Sequence, residues 1–450
     1  VTSGLKQGCL LSPLIFNLFV NDLSDALEDT DLGINLDGID CKLNMLLYAD
    51  DLALIAESEE DLQRLLQILS KWCEDNGMTI NMDKTKVIHY RNPSKQRTDF
   101  SFTFANQRID VISSYRYLGL VLEEHLNYDV TAKAVAKAAS RALGLVISKS
   151  KSAGGLPYSV FTKLYDTVVW PTISYGASIW GTKEYSCINA VQNRACRYFL
   201  GVGKYAPNNG VNGDMGWMPP VIKQWKCVIR NYWRLKNMSD DRINKQVFVW
   251  MCNKSNLNCK NWNFRIQKQL ELLQINGEDR NAIFQIETRM FALFKGEWKR
   301  KIESNRGTRP NQSNKLRTYR NFKTEYVTER YVKVLLSKSE RSAMAKFRCG
   351  VAPLRIETGR FERLPVEQRL CFHCSGHVED ELHVLTECPL YQDLRDNLYE
   401  RASDVQENFS TFSNLEKLSF IMSSNDLVKI SAKTCNDILI RRRNFIFNFT

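Results

Sequence analysis

Between residues 12 and 23 the apolar positions Ile15, Phe16, Leu18, Phe19 and Leu23 recur at helical spacing behind Ser12 and Pro13, a capping hydroxyl and a proline at the first helical position. This pattern predicts a helix of roughly 15 residues. Between 43 and 56 two apolar runs, each too short for a helix, flank Asp50 and Asp51, which predicts a hairpin with two carboxylates at its tip. Ser58, with Asp61 three residues on, has the form of a capping box. It opens the amphipathic stripe Leu62, Leu65, Leu66, Leu69 and Trp72, which Gly77 closes, so a second helix packs behind the hairpin. Strand-like stretches follow at 86–90, 100–104 and 115–122. Residues 1–125 therefore read as an α/β unit with an antiparallel sheet.

Beyond residue 128 the period becomes helical, with an Ala-rich run and then Phe161, Leu164, Tyr165, Val168 and Val169 on one stripe. Residues 201–220 are dense in Gly, Asn and Pro and read as a linker. Helical patterning returns over 221–347 and again in the tail, 396–450. The fold class expected is α+β, with divisions at 1–125, 126–200, 201–220, 221–347, 348–395 and 396–450.

Charge sharpens this picture in one place. The net charge is +12, and between Lys295 and Arg348 there are 16 Lys/Arg against 5 Glu and no Asp. Trp298, Tyr319, Phe322, Tyr326 and Tyr331 are interleaved with these cations, which suits a polyanion-binding surface where rings stack on bases; a solvated helical face is the alternative. Trp170, Tyr175 and Trp180 read as core aromatics. No run of apolar residues is long enough for a membrane span and no secretory signal is visible, so an intracellular protein is the default. Thirteen cysteines, an odd number at irregular spacing, argue for reduced thiols and one metal cluster rather than a disulfide framework. The chain opens at Val1, inside what looks like a motif, and is expected to be a fragment.

Adjacent aspartates in a turn have a local use, since Asp favours turns, and a chemical one, since hard oxygen ligands can hold Mg²⁺ against nucleotide phosphates. The neighbours favour the second. GLKQGCLLSPLIFNLFVNDL, LLYADDLALIAES, NGMTINMDKTKVIHY and YRYLGLVL, in that order and spacing, resemble the later palm motifs of reverse transcriptases of non-LTR (LINE-type) retrotransposons. The resemblance implies an RNA-directed DNA polymerase that uses two Mg²⁺ ions, an RNA template, a DNA primer or target and deoxynucleoside triphosphates, acts away from membranes, and resides in nucleus and cytoplasm as a ribonucleoprotein. By position, Tyr48, Ala49, Asp50 and Asp51 match the polymerase box, with both acids at the metal site. Gln7, Gly8, Ser12 and Pro13 match the segment beside nucleotide and template. Gly77, Asn81, Lys84 and Thr85 match the next motif, whose lysine is a candidate proton donor to pyrophosphate, although alone Lys84 reads as a surface lysine and Gly77 as a helix C-cap. Tyr117, Leu118 and Gly119 match the turn that grips the primer end. The family's third catalytic carboxylate lies upstream of the Gln7 motif, so this chain alone is expected to be inactive. The alternative is a non-enzymatic module that binds RNA or DNA.

The helices after the palm resemble the family's thumb. Near the C-terminus, Cys371, Cys374, His383 and Cys388 have zinc-knuckle-like spacing, with a CxxC turn supplying two thiolates, and His373 and His377 rival His383 for the nitrogen position. The surrounding sequence resembles the C-terminal zinc segment of the same family. A structural Zn²⁺ is implied, with Arg355, Arg360, Arg363 and Arg369 available for phosphate contacts.

Overall fold

A computed structural model describes residues 5–6, 8–28, 30–39, 42–256, 259–304 and 315–447. The fold is α+β, 58% helical with small antiparallel sheets. The chain forms two compact units, one from Val1–Ala134 and Val228–Arg280, the other from Val135–Cys227 and Asn281–Thr450.

In the first unit the helix expected after Ser12 is two helices, α1 (Ser12–Phe19) and α2 (Asn21–Glu28). Val20 leaves helical geometry at φ −92°, ψ 1°, and Asp22 opens α2 with an acid in its first turn, where the helix dipole favours it. Ser12 does not cap α1: its hydroxyl donates to the Lys6 carbonyl at 2.8 Å. Strands β1 (Met45–Tyr48) and β2 (Asp51–Leu54) pair antiparallel from Met45↔Leu54 to Tyr48↔Asp51, as the alternation predicts. Helix α3 (Glu59–Asp75) begins where expected, with the Ser58 hydroxyl accepting from the Asp61 amide at 3.1 Å, and Gly77 ends the turn beyond it at φ +62°. Its buried face, Leu65, Leu66, Leu69 and Cys73, meets Leu23 and Leu27 of α2 and Phe102, Phe104 and Ile109, while Leu52 and Leu54 of β2 pack at the margin of this core. Truncating one of these leucines to Ala would cost about 2–5 kcal/mol. This core holds the hairpin in place.

The other expected strands shrink. Residues 86–90 keep one bridge, Val87↔Val111; 100–104 keeps β3 (Thr103–Phe104), paired with β4 (Gln107–Arg108). Residues 115–122 fold as a second hairpin, β5 (Ser114–Tyr117) and β6 (Leu120–Glu123), because Leu118 and Gly119 both take left-handed φ, +46° and +82°. Two such residues suit a tight hairpin turn, whose twist matches that of the strands.

The second unit is helical. Phe161, Tyr165 and Trp180 are core residues as expected, but Tyr175 is 53% exposed. The stretch expected as a linker contains the helix Asn208–Met215. Its glycines serve close packing: a Cβ on Gly213 would lie 2.5 Å from Tyr319 Oη and 2.6 Å from Trp298. One part of the expectation over Lys295–Arg348, rings stacking on bases, is also corrected. Trp298, Tyr319 and Tyr326 are buried together with Ile302 and Leu316, and Tyr331 is buried as well, so none of these four rings is free to stack on a base. Tyr326 takes Trp298 and Phe294 edge-on at 5.2 and 5.0 Å, the arrangement that ring quadrupoles favour. Two of the cations are buried as well: Arg348 pairs with Asp214 at 2.9 Å and with Glu329 at 3.1 Å, and Lys323 pairs with Glu329.

Candidate functional site

The β1–β2 hairpin closes through Ala49 and Asp50, with Ala49 at φ +53°. A left-handed alanine is strained, and such strain gathers at functional turns. Tyr48, Asp50 and Asp51 are exposed at the tip. The Tyr117 phenol is pushed above its ordinary value by burial and by the Asp51 carboxylate, so the structure brings the β5–β6 turn and the acidic tip into electrostatic reach. Lys84 lies on an exposed turn, its amide donating to Asn81 Oδ1 at 3.2 Å, and is paired with neither aspartate. Gly8 takes φ +82° beside Ser12, and Pro13 sits in the first turn of α1; Gln7 lies outside the described residues.

In the second unit the ligand atoms of Cys371, Cys374, His383 and Cys388 all lie within 4.8 Å of one another. Cys388 Sγ is 3.9 Å from Cys371 Sγ and 3.6 Å from Cys374 Sγ. A disulfide would need about 2.05 Å. A tetrahedral ion with bonds of about 2.3 Å to sulfur sets its sulfurs about 3.8 Å apart, and the observed pairs bracket that value. The Cys371 thiol is brought down to about 3 by its hydrogen bond with Cys388, whose own thiol is pushed far up by the same contact. His383 is the histidine of the cluster. Its Nε2 is buried with no hydrogen-bond partner, while Nδ1 lies 3.2 Å from Glu387 Oε2. That is the carboxylate–histidine arrangement that orients a metal-binding imidazole. Glu387 is a site residue that spacing could have revealed, since it follows His383 by one helical turn. It is held in turn by Asn414 Nδ2 at 3.0 Å. The donor set and its distances fit Zn²⁺. His373 and His377 are exposed; His373 lies edge-on to Phe445 and His377 is parallel to His383 at 5.3 Å.

The arginines expected to reach phosphates are mostly engaged. Arg369 is buried and donates to the carbonyls of Ile356 and Leu364, at 2.8 and 2.7 Å. Arg355 forks onto Glu362, and Arg360 pairs with Glu357 at 3.4 Å. Arg363 is exposed. Among the described residues no helix is long and apolar enough to cross a membrane.

Residues 1–122 match the family described as reverse transcriptase (RNA-dependent DNA polymerase). A transposon-derived protein of Caenorhabditis elegans is 29% identical over 31% of this chain and 49% of its own length. The retrovirus-related Pol polyprotein of the type-1 retrotransposable element R2 of Popillia japonica is 32% identical over 27% of this chain and 21% of its own. The RNA-directed DNA polymerase from the mobile element jockey of Drosophila melanogaster is 22% identical over 55% of this chain and 27% of its own. The chain thus spans between about a fifth and a half of the length of these curated relatives.

Proposed function

We propose, from a chain whose first 122 residues are a reverse transcriptase domain of the LINE type, that its palm hairpin serves RNA-directed DNA polymerisation, extending a DNA primer on an RNA template with deoxynucleoside triphosphates. The observation that carries this reading is the pair Asp50 and Asp51 at the tip of a core-anchored hairpin within the matched segment. Asp50 and Asp51 would hold Mg²⁺, which when bound would activate the primer 3′-hydroxyl and neutralise the leaving pyrophosphate. Tyr48 and Ala49 shape the tip, Lys84 gives a proton to the leaving group, and Tyr117, Leu118 and Gly119 hold the primer end. Gln7, Gly8, Ser12 and Pro13 border nucleotide and template. Residues 126–200 would act as thumb. Zn²⁺ on Cys371, Cys374, His383 and Cys388 is structural in this reading, since protein groups fill all four positions. The working form is a ribonucleoprotein of nucleus and cytoplasm.

Among the described residues Asp50 and Asp51 gather no third acid or imidazole. Leu46, Leu47 and Tyr48 of the same hairpin are exposed. In this reading the family's upstream palm segment would supply the third carboxylate. Primer extension on an RNA template with Mg²⁺ tests this. The 450 residues alone are expected to give no product, and the same residues preceded by a relative's upstream segment are expected to extend the primer. If the joined chain binds template and primer but extends nothing, the second reading, a non-enzymatic nucleic-acid-binding module, takes its place.

A further inference from the structure

The cations of the 295–348 stretch meet an exposed ring that lies outside it in sequence. Tyr205 is 64% exposed, with Lys204 Nζ 5.0 Å and Lys315 Nζ 5.8 Å from its ring centre. The loop that displays it is firmly built. Val202 and Ala206 are buried on either side of the tip, the Val202 amide donates to the Arg197 carbonyl, the Ala206 amide to the Gly203 carbonyl and Arg197 Nη2 to the Ala206 carbonyl, each at 3.1 Å. Lys315 Nζ donates to the Tyr205 carbonyl at 2.9 Å, which fixes that lysine beside the ring. Lys346 adds a third cation. It stands on the helix Lys338–Arg348, one turn after Ser342, whose hydroxyl donates to the Gly201 carbonyl at 2.6 Å. One turn further on, Gly350 lies so close to Lys315 that a Cβ there would come within 1.6 Å of the Lys315 carbonyl oxygen. Helical spacing therefore sets Lys346 between the start of the loop and Lys315. Partial burial holds its ammonium below the ordinary lysine value, and among the described residues no carboxylate is paired with it or with Lys204. Glu357, 3.6 Å from Lys315, is shared with Arg317 and Arg360 at 3.6 and 3.4 Å, so the cluster stays positive.

We infer that Tyr205 with Lys204, Lys315 and Lys346 forms a binding site for single-stranded nucleic acid, one unpaired base stacked on the Tyr205 ring and the adjoining phosphates on the ammonium groups. Every base has a face to stack, so such a site tolerates any sequence. Bases inside a duplex are already stacked on one another, and a lone surface ring offers them nothing. An acidic peptide would use the cations and leave the ring idle. The inference takes the kind of polymer from the polymerase reading and the place from this geometry. All of its residues belong to the second unit, whereas Asp50 and Asp51 belong to the first.

The test is fluorescence anisotropy on the full chain, with labelled oligo-uridine RNA, oligo-thymidine DNA and a blunt RNA–DNA hybrid of equal length. Tyr205→Ala is expected to weaken the better-bound single strand by about 5- to 100-fold, the range for losing one stacked base, and to leave the hybrid unchanged. Tyr205→Phe keeps a ring and is expected to bind as the wild type does. Lys204→Ala and Lys346→Met are each expected to make the slope of log affinity against log salt shallower by about 0.7. An oligo-glutamate peptide that competes as well as unlabelled single strand overturns the site as a place for bases. A chain that binds single strands but ignores Tyr205→Ala, or loses the hybrid equally, overturns this site alone. A chain that binds neither single strand nor hybrid overturns the polymerase reading and this site with it.

Discussion

Asp214→Asn keeps the shape of a buried side chain and removes its charge. The carboxylate accepts from Tyr319 Oη at 2.9 Å, Tyr331 Oη at 2.7 Å, and Arg348 Nε and Nη2 at 2.9 Å each, all without exposure to water. The substitution leaves the Arg348 guanidinium with Glu329 as its remaining carboxylate and the Met422 carbonyl as a neutral partner. Removing one partner of a buried pair costs about 3–5 kcal/mol. At about 2–4 °C per kcal/mol for a domain of this size, Tm should fall by roughly 6–20 °C. Urea unfolding followed by tryptophan fluorescence measures the same loss. Arg348→Met should be comparably harmful alone. The double variant should recover much of the loss, because an apolar replacement of a whole buried pair is often neutral, and the double-mutant cycle isolates the coupling. Burial alone would raise the Asp214 carboxyl, but Arg348 overrides it and holds it below the usual carboxylate range. Its contribution is therefore fully present above the unfolded value of about 3.9 and is lost as pH falls through the lower folded value; Asp214→Asn should flatten that acid limb. A loss under about 1 kcal/mol, the size of an ordinary substitution, would refute the claim that Arg348 and the rings around Asp214 are core.

The zinc reading predicts one zinc per chain by elemental analysis, lost in Cys388→Ser together with the fold around residues 371–388. Glu387→Ala should keep the cluster but weaken zinc about 10- to 100-fold in a competition with a chelator, the usual effect of removing a carboxylate behind a metal-bound histidine. Ala49→Gly should relieve the left-handed turn and stabilise the first unit by about 1 kcal/mol in urea; a destabilised variant would show the turn to be unstrained.

The acidic hairpin was legible because two short apolar runs with the only charges between them admit few other folds, and Ser58 marked the next helix in the same local way. The cysteine spacing picked out the four side chains that the structure brings together because a CxxC turn and a helix-borne His and Cys are local chemistry too. What misled was residue type whose meaning depends on distant partners. Gly210, Gly213 and Gly216 resemble a loop until Tyr319 and Trp298 are seen against the middle one. Trp298, Tyr319 and Tyr326 resemble base-stacking rings until they are found buried with Ile302 and Leu316; Arg348 resembles a surface cation until Asp214, far away in sequence, is found paired with it. The resemblance marked a turn at Leu118–Gly119, but the hairpin it closes was hidden from the apolar pattern because apolar residues continue on both sides of it.

The central claim is that Asp50 is a metal-binding carboxylate of a polymerase. Its most direct test is primer extension by the chain joined to the family's upstream segment, wild type against Asp50→Ala, with template binding measured in parallel. The account predicts a loss of about a thousandfold or more in extension, the size expected when transition-state charge stabilisation is removed, with template affinity unchanged. A variant that extends the primer at the wild-type rate would contradict it.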